Sequence, residues 1–279
     1  RAIGDPSERF GEDYLRILRA VRFAARLGYR IDPATTAALE ACGPNLRSIS
    51  RERIGGELRL MLEHRSAAEA VELIQRYGLD GPVLDEPPSD APPKLLRAVV
   101  AAEAAPFELS LAAWSIDRHL DGSNPESLDL WLENLELFKP RALARRWRRA
   151  LMLSNRQHDR LESLCVRFSD GLNWQALTVA ARKRLMAEPI WPMLLRLIRA
   201  AVEERGARPF DLESFAQQQR LYQDQGVRPD PLIDGHHLIE AGLKPGPRFK
   251  SILEKVYDAQ LEGTVTDRDA ALKMALELT

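Results

Sequence analysis

The residues best suited to chemistry lie near the start of the chain. After Glu12 and Asp13 come five arginines, Arg16, Arg19, Arg22, Arg26 and Arg30, with no acidic residue until Asp32. At 100° per residue, Ile17, Leu18, Val21, Ala24 and Ala25 share one face of a helix, while Glu12, Arg16, Arg19, Arg26 and Arg30 share the opposite face. Such a row of like charges repels itself unless an anion answers it. A guanidinium suits that anion when it is a phosphate or a base edge, because its planar fork makes two parallel hydrogen bonds. Two readings stay open from spacing alone: contact with a nucleotide or nucleic acid, and a solvated helix face.

The wording of the stretch adds to this. Arg1-Ala2-Ile3-Gly4-Asp5-Pro6, Arg9-Phe10, Glu12-Asp13-x-x-Arg16 and Leu18-Arg19-Ala20-Val21-Arg22-Phe23-Ala24-Ala25 closely resemble the class II tRNA nucleotidyltransferase (CCA-adding) and bacterial poly(A) polymerase family. The resemblance implies that Asp13 and Arg16 read the base of an incoming CTP or ATP. Glu12 would support them, with Arg9 and Arg19 in the same nucleotide site. Cytosine and adenine both present an amino donor beside an unprotonated ring nitrogen. A carboxylate and a guanidinium one helical turn apart therefore fit both, and meet uracil or guanine with the wrong polarity. The alternative is an ordinary i,i+3 helix pair.

Residues 12 to 80 read as successive helices. Asp32-Pro33 supplies an N-cap and a first-turn proline. The helix after Ser50 carries Glu52-Arg53-Ile54-Gly55-Gly56-Glu57-Leu58. The resemblance makes Glu52, Arg53 and Glu57 braces of the base-reading helix; a surface ion pair is the other reading. Each glycine of the pair costs roughly 1 kcal/mol in a helix, which points to close helix packing. Tyr77-Gly78-Leu79 reads as a helix C-terminus. The stretch from Asp85 to Pro93 holds four prolines, cannot stay helical, and marks the best boundary in the chain.

Beyond it the helical pattern runs from Lys94 to Arg205, with breaks near Pro125, Pro140 and Pro189. Arg145, Arg146, Arg148 and Arg149 flank Trp147, a pattern that suits a phosphate backbone and equally a solvated face with the indole turned inward. Leu151-Met152-Leu153-Ser154-Asn155 resembles a short phrase of the family's body. In the last part, Asp234 reads as an N-cap, and Gly246-Pro247 before a helix, with Lys244, Arg248 and Lys250, reads as a phosphate seat. His158-Asp159 lacks partners for a metal site, and adjacent His236 and His237 point about 100° apart on a helix. Asp267-Arg268-Asp269 is read as a helix start capped by Thr266.

The 279 residues have a net charge of −1 and 45% hydrophobic content, enough for one large or two to three ordinary domains. Of the 40 basic residues 33 are arginine, a bias that RNA binding and a GC-rich genome explain equally. Cys42 and Cys165 suggest neither a disulfide framework nor zinc. No apolar run approaches the roughly 20 residues that span a bilayer, so no membrane partner is expected and the expected address is cytoplasmic.

The fold expectation is all-α: an elongated neck (1–86), helical body (94–205) and RNA-binding tail (206–279). The resemblance implies a tRNA nucleotidyltransferase adding CMP and AMP to the tRNA 3′ end, with tRNA held at its 3′ end and elbow. It also implies Mg²⁺ on a carboxylate pair that these residues do not contain. The chain opens on Arg1, inside a continuing motif, which suggests a fragment that is inactive alone. A poly(A) polymerase, a CC-only or A-only specialist, and a non-catalytic α-helical RNA-binding or protein-docking module remain alternatives.

Overall fold

A computed structural model describes residues 4–120, 138–205 and 211–278. The expected break at Pro125, the edge at 205/206 and the first three residues of the opening motif lie wholly or partly outside them. The described residues form sixteen α-helices and two short 3₁₀ turns, without a strand among them. They divide into two compact units, one of residues 1–172 and 192–210, the other of residues 173–191 and 211–279. The chain thus passes between units three times. The divisions drawn at 86/94 and 205/206 do not coincide with the edges of these units.

The first unit begins with α1 (Pro6–Glu12), capped by Asp5, and α2 (Leu15–Leu27), which ends at Gly28 with φ +65°. Ile17, Leu18 and Val21 are fully buried, as the spacing requires, with Ala24 and Ala25 beside them. α1 packs on α3 (Pro33–Cys42), where the Asp32 carboxylate accepts the Thr35 N–H at 3.3 Å. A 3₁₀ turn leads to α4 (Arg51–Leu62). A Cβ on Gly55 would stand 2.3 Å from the carbonyl oxygen of Leu151, so the glycine is what lets α4 approach α9 (Pro140–Leu151). Gly56 meets nothing comparable. α5 (Ala67–Arg76) closes in a Schellman motif, with Leu79 N donating to Ile74 O at 2.8 Å and Gly78 N to Gln75 O at 2.9 Å.

α6 (Asp80–Leu84) leads into the proline-rich stretch, which is not helical and is tied into the first unit. Ser89 N donates to Asp80 at 2.8 Å, and Gln75 donates to Ala91 O at 2.9 Å. α7 (Lys94–Val100) is capped from a distance by buried Asp117 of α8 (Phe107–Leu120), whose two carboxylate oxygens accept Leu95 N and Leu96 N at 2.8 and 2.9 Å. α10 (Asn155–Leu172) packs against α8 and α9.

The second unit takes the next segment, a 3₁₀ turn at Trp174–Ala176 and α11 (Val179–Met186). α12 (Trp191–Arg205) then returns to the first unit. There Arg196 donates to Val99 O at 2.6 and 3.0 Å and to Glu103 O at 2.6 Å. The second unit resumes with α13 (Leu212–Gln225), α14 (Gly235–Glu240), α15 (Arg248–Glu262) and α16 (Arg268–Glu277). Trp174 gathers Trp191, Phe215 and Tyr222 around it. α11 and α15 cap one another: Glu262 accepts Ala180 N at 2.9 Å, while buried Lys183 donates to Leu261 O at 3.0 Å. Asp234 caps α14 with His237 as the reciprocal partner. The expected Thr266 cap is corrected: Asp267 itself accepts Ala270 N at 2.8 Å and starts α16.

Candidate functional site

Asp13 and Arg16 do not lie on one continuous helix. Asp13 is extended (φ −161°, ψ 105°) between α1 and α2, so the expected i,i+3 helix pairing of the two does not form. Each is held separately. One Asp13 oxygen accepts the Leu15 N–H at 3.1 Å, which shapes the entry to α2. The other accepts Arg53 Nη2 of α4 at 2.7 Å. Arg16 Nη1 donates to Arg9 O at 3.0 Å and pairs with Glu12, and Arg9 Nη1 reaches the same Glu12 at 3.0 and 3.2 Å. Three guanidiniums therefore share two carboxylates around one helix junction.

The electrostatics follow from these contacts. The Arg53 hydrogen bond holds Asp13 below its ordinary carboxylate range, and the Arg16 and Arg9 hydrogen bonds do the same for Glu12. Both groups are therefore anionic at neutral pH. Asp13 is 27% exposed and Arg16 38%, so both reach solvent while being oriented from behind. With two of its oxygens' acceptor positions filled, Asp13 keeps further lone pairs, and Arg16 keeps donors beyond Nη1.

The arginine row is answered more fully than its sequence suggests. Arg22 is buried and donates to Glu57 of α4 at 2.9 Å, and Arg26 donates to Leu60 O. Arg53 and Glu57 thus join α4 to the junction and to α2 respectively. Glu52 lies in the first turn of α4 with no such contact to α2 among the described residues. Arg19 is exposed and makes no ion pair among the described residues.

On α9 the sequence left two readings of one basic run, and the side chains divide between them. Trp147 is fully buried against Trp114, with ring centroids 5.5 Å apart. Arg146 is committed to Glu86 at 2.7 Å and Arg148 to Asn155 at 2.6 Å. Arg145 and Arg149 are exposed, with no ion pair among the described residues. Glu86 is the residue that sequence reading missed. Its buried carboxylate also accepts Arg118 at 3.0 Å and faces His119 at 3.5 Å. Burial alone would push it up, but His119 and Arg118 outweigh burial and bring it down to about 2. No local pattern signals a partner 60 residues away.

In the second unit Lys244 is exposed, Arg248 opens α15, and Lys250 faces Glu254 at 3.9 Å. Pro247 holds the N-cap position without an N–H, and Phe249 N turns back to Gly246 O at 3.0 Å. No described helix is long and apolar enough to cross a membrane.

Residues 28–87 match the family model described as "Probable RNA and SrmB-binding site of polymerase A". The CCA-adding enzyme of Bacillus licheniformis is 27% identical over 287 residues, covering 99% of this chain and 63% of its own. The structure of the Bacillus stearothermophilus CCA-adding enzyme in complex with CTP covers 99% of this chain and 64% of its own, with TM-score 0.70 and 22% identity. The Thermotoga maritima CCA-adding enzyme complexed with tRNA covers 97% and 62%, with TM-score 0.56 and 16% identity. This chain therefore spans a little under two thirds of the length of these relatives. By sequence it is similar to CCA-adding enzymes over nearly its whole length and to the polymerase A model over residues 28–87, and it shares the helical fold of the solved CCA-adding enzymes.

Proposed function

We propose that this chain is the part of a tRNA nucleotidyltransferase that chooses the incoming nucleotide and grips the RNA, in an enzyme that adds CMP and AMP from CTP and ATP to the tRNA 3′ end in the cytoplasm. The observation that carries the proposal is the junction of α1 and α2, where Asp13 and Arg16 stand solvent-accessible and are fixed from behind by Arg53, Glu12 and Arg9. Asp13 accepts the amino group shared by cytosine and adenine, and Arg16 donates to the adjacent ring nitrogen. The neighbours whose structures hold CTP and tRNA support the same substrates.

Arg19 extends the nucleotide site along α2, and Glu52, Arg53 and Glu57 belong to its bracing helix. Arg145 and Arg149 supply phosphate contacts on α9, beside Arg146 and Arg148 with their internal partners. Lys244, Arg248 and Lys250 supply phosphate contacts in the tail, where position rather than base identity is read. Phosphoryl transfer in such an enzyme draws on Mg²⁺ to neutralise the developing charge. Among the described residues no three His, Cys, Asp or Glu side chains cluster to hold a metal, so no step is assigned to it in this chain.

The test is competitive incorporation of CTP against UTP by the full-length enzyme on a tRNA lacking its 3′ end. Asp13→Ala and Arg16→Ala are expected to lower kcat/KM for CTP and ATP far more than for UTP, by about 10² to 10⁴ in discrimination if both contacts are lost. Folded variants that keep the parent's ratio would sink the reading. The name of the matched family model favours a second reading, a poly(A) polymerase. Open-ended addition of AMP without prior CMP in the same assay decides for it.

A further inference from the structure

A second feature lies along α2 from the base-reading junction. Arg16, Ala20, Phe23 and Leu27 recur at i, i+4, i+7 and i+11 and so share one face of the helix. At the far end of that face a cavity of about 230 Å³ opens between α1, α2 and α3, lined by Phe10, Phe23, Leu27, Tyr29, Arg30 and Ile31 among others. Three of its large lining residues are open to solvent, Phe23 (47%) and Leu27 (56%) on α2 and Tyr29 (69%) just past its end, while Phe10 of α1 forms the buried floor at 4%. The Arg22 guanidinium sits 4.6 Å from the centroid of the Phe23 ring, and the same ring lines the cavity.

The cavity lining carries a cation, and the nearby acids are already engaged. Arg30 is its sole charged lining residue and makes no ion pair among the described residues. Asp32, the one acid between Tyr14 and Leu39, is engaged by the Thr35 N–H and hydroxyl at the start of α3. Glu12 of α1 is taken by Arg9 and Arg16. Exposed aromatic faces beside an unpaired guanidinium match the pattern that binds single-stranded nucleic acid, with bases stacking on rings and phosphates meeting cations. A docking peptide would use the apolar wall and have no need of the lone arginine.

We propose that this groove takes a nucleobase of single-stranded RNA, stacked on Phe23 and Tyr29 with its phosphate on Arg30. The inference rests on the reading of Asp13 and Arg16 as base-reading residues and gives that site an RNA strand. Seven residues of helix separate Arg16 from Phe23, about 10 Å of rise. That is the length of roughly three stacked nucleotides at 3.4 Å each. The groove is therefore placed to hold the growing strand a few nucleotides from the base being chosen.

The experiment measures binding of the 279-residue chain to a fluorescein-labelled, unstructured single-stranded RNA by anisotropy, across a salt series. Phe23→Leu and Tyr29→Leu are each expected to raise Kd about tenfold with the salt slope unchanged, and Phe23→Tyr is expected to keep the parent's affinity. Arg30→Gln is expected to reduce the salt slope by about one. Circular dichroism checks that each variant is folded. The parent's Kd in both leucine variants overturns the proposal, and is the result expected of a protein-docking face. The same substitutions in the full-length enzyme should leave the CTP-to-UTP ratio alone. If that ratio ceases to depend on Asp13 while the leucine variants still weaken RNA binding, base reading fails and the groove stands. If it depends on Asp13 and RNA affinity is unmoved, the groove fails alone.

Discussion

Replacing Arg53 by methionine separates what holds the fold from what orients the site. The substitution keeps the aliphatic stem and removes the charge that meets Asp13 at 2.7 Å. Arg53 is 49% exposed and Asp13 27%, so solvent screens the pair and folding should lose only about 0.2–1 kcal/mol. The buried Arg22–Glu57 pair still ties α2 to α4. Function is expected to suffer more, because Asp13 keeps only the Leu15 N–H as a guide and its free oxygen swings. A misplacement on the order of 1 Å costs up to about 10²-fold in rate. We therefore expect kcat/KM for CTP to fall roughly 10- to 100-fold, with UTP changed little. Acid dependence supplies a second readout. Asp13 is depressed below its ordinary 3.8, chiefly by Arg53, so its contribution is present above that value and is lost as pH falls through the lower folded one. Without Arg53 the acid limb of CTP incorporation should shift upward. The assay is competitive CTP and UTP incorporation by the full-length enzyme, with thermal melting alongside. An unchanged CTP-to-UTP ratio in a folded variant, or a large loss of melting temperature with the ratio intact, refutes the assignment.

Gly55→Ala places a Cβ 2.3 Å from the backbone oxygen of Leu151, where no flexible side chain can give way. We expect a loss of roughly 1–3 kcal/mol or more in urea unfolding, against near neutrality for Gly56→Ala. Glu86→Gln leaves the buried Arg118 without one of its charge partners and should cost on the order of 3 kcal/mol. Because Glu86 titrates at about 2 when folded against 4.5 when free, the stability it adds is full above about 4.5 and fades as pH falls towards 2. That acid-dependent part of the guanidinium midpoint should be missing in the variant. Neutralising Lys244, Arg248 and Lys250 together should weaken tRNA binding and flatten its salt dependence without altering nucleotide choice, as read by filter binding at several salt concentrations.

Local signals in the sequence were legible where they are settled within a few residues. Asp32-Pro33, Tyr77-Gly78-Leu79 and Asp234 each announce a helix end, because the cap and the orphan backbone groups it serves lie within one turn. The Gly55-Gly56 pair announced close packing, though not that only Gly55 needs it or that Leu151 is the neighbour. What failed was continuity. Apolar periodicity runs on through Asp13, so nothing in the pattern marks the extended residue that separates α1 from α2. At Thr266-Asp267 two good capping residues stand side by side, and a one-residue choice is beyond pattern reading. The partners of the site's charges were equally hidden. Arg22 finds Glu57 and Arg53 finds Asp13 across 35 and 40 residues, and charge spacing along one helix is silent about a second. The same holds for residues 173–191, whose helical pattern gives no sign that they pack with the last seventy residues.

The exchange of caps between α11 and α15 imposes an order on folding. Lys183 is made 78 residues before the carbonyl it binds, and the Ala180 N–H waits 82 residues for Glu262. At about 5–20 residues per second, that is roughly 4–16 s during which a nascent α11, capped only by Thr178, has Lys183 and the Ala180 N–H open to water. Meanwhile α12, made later, belongs to the first unit and can already dock there through Arg196. The first unit can therefore gather its own helices before α11 has met Leu261 and Glu262.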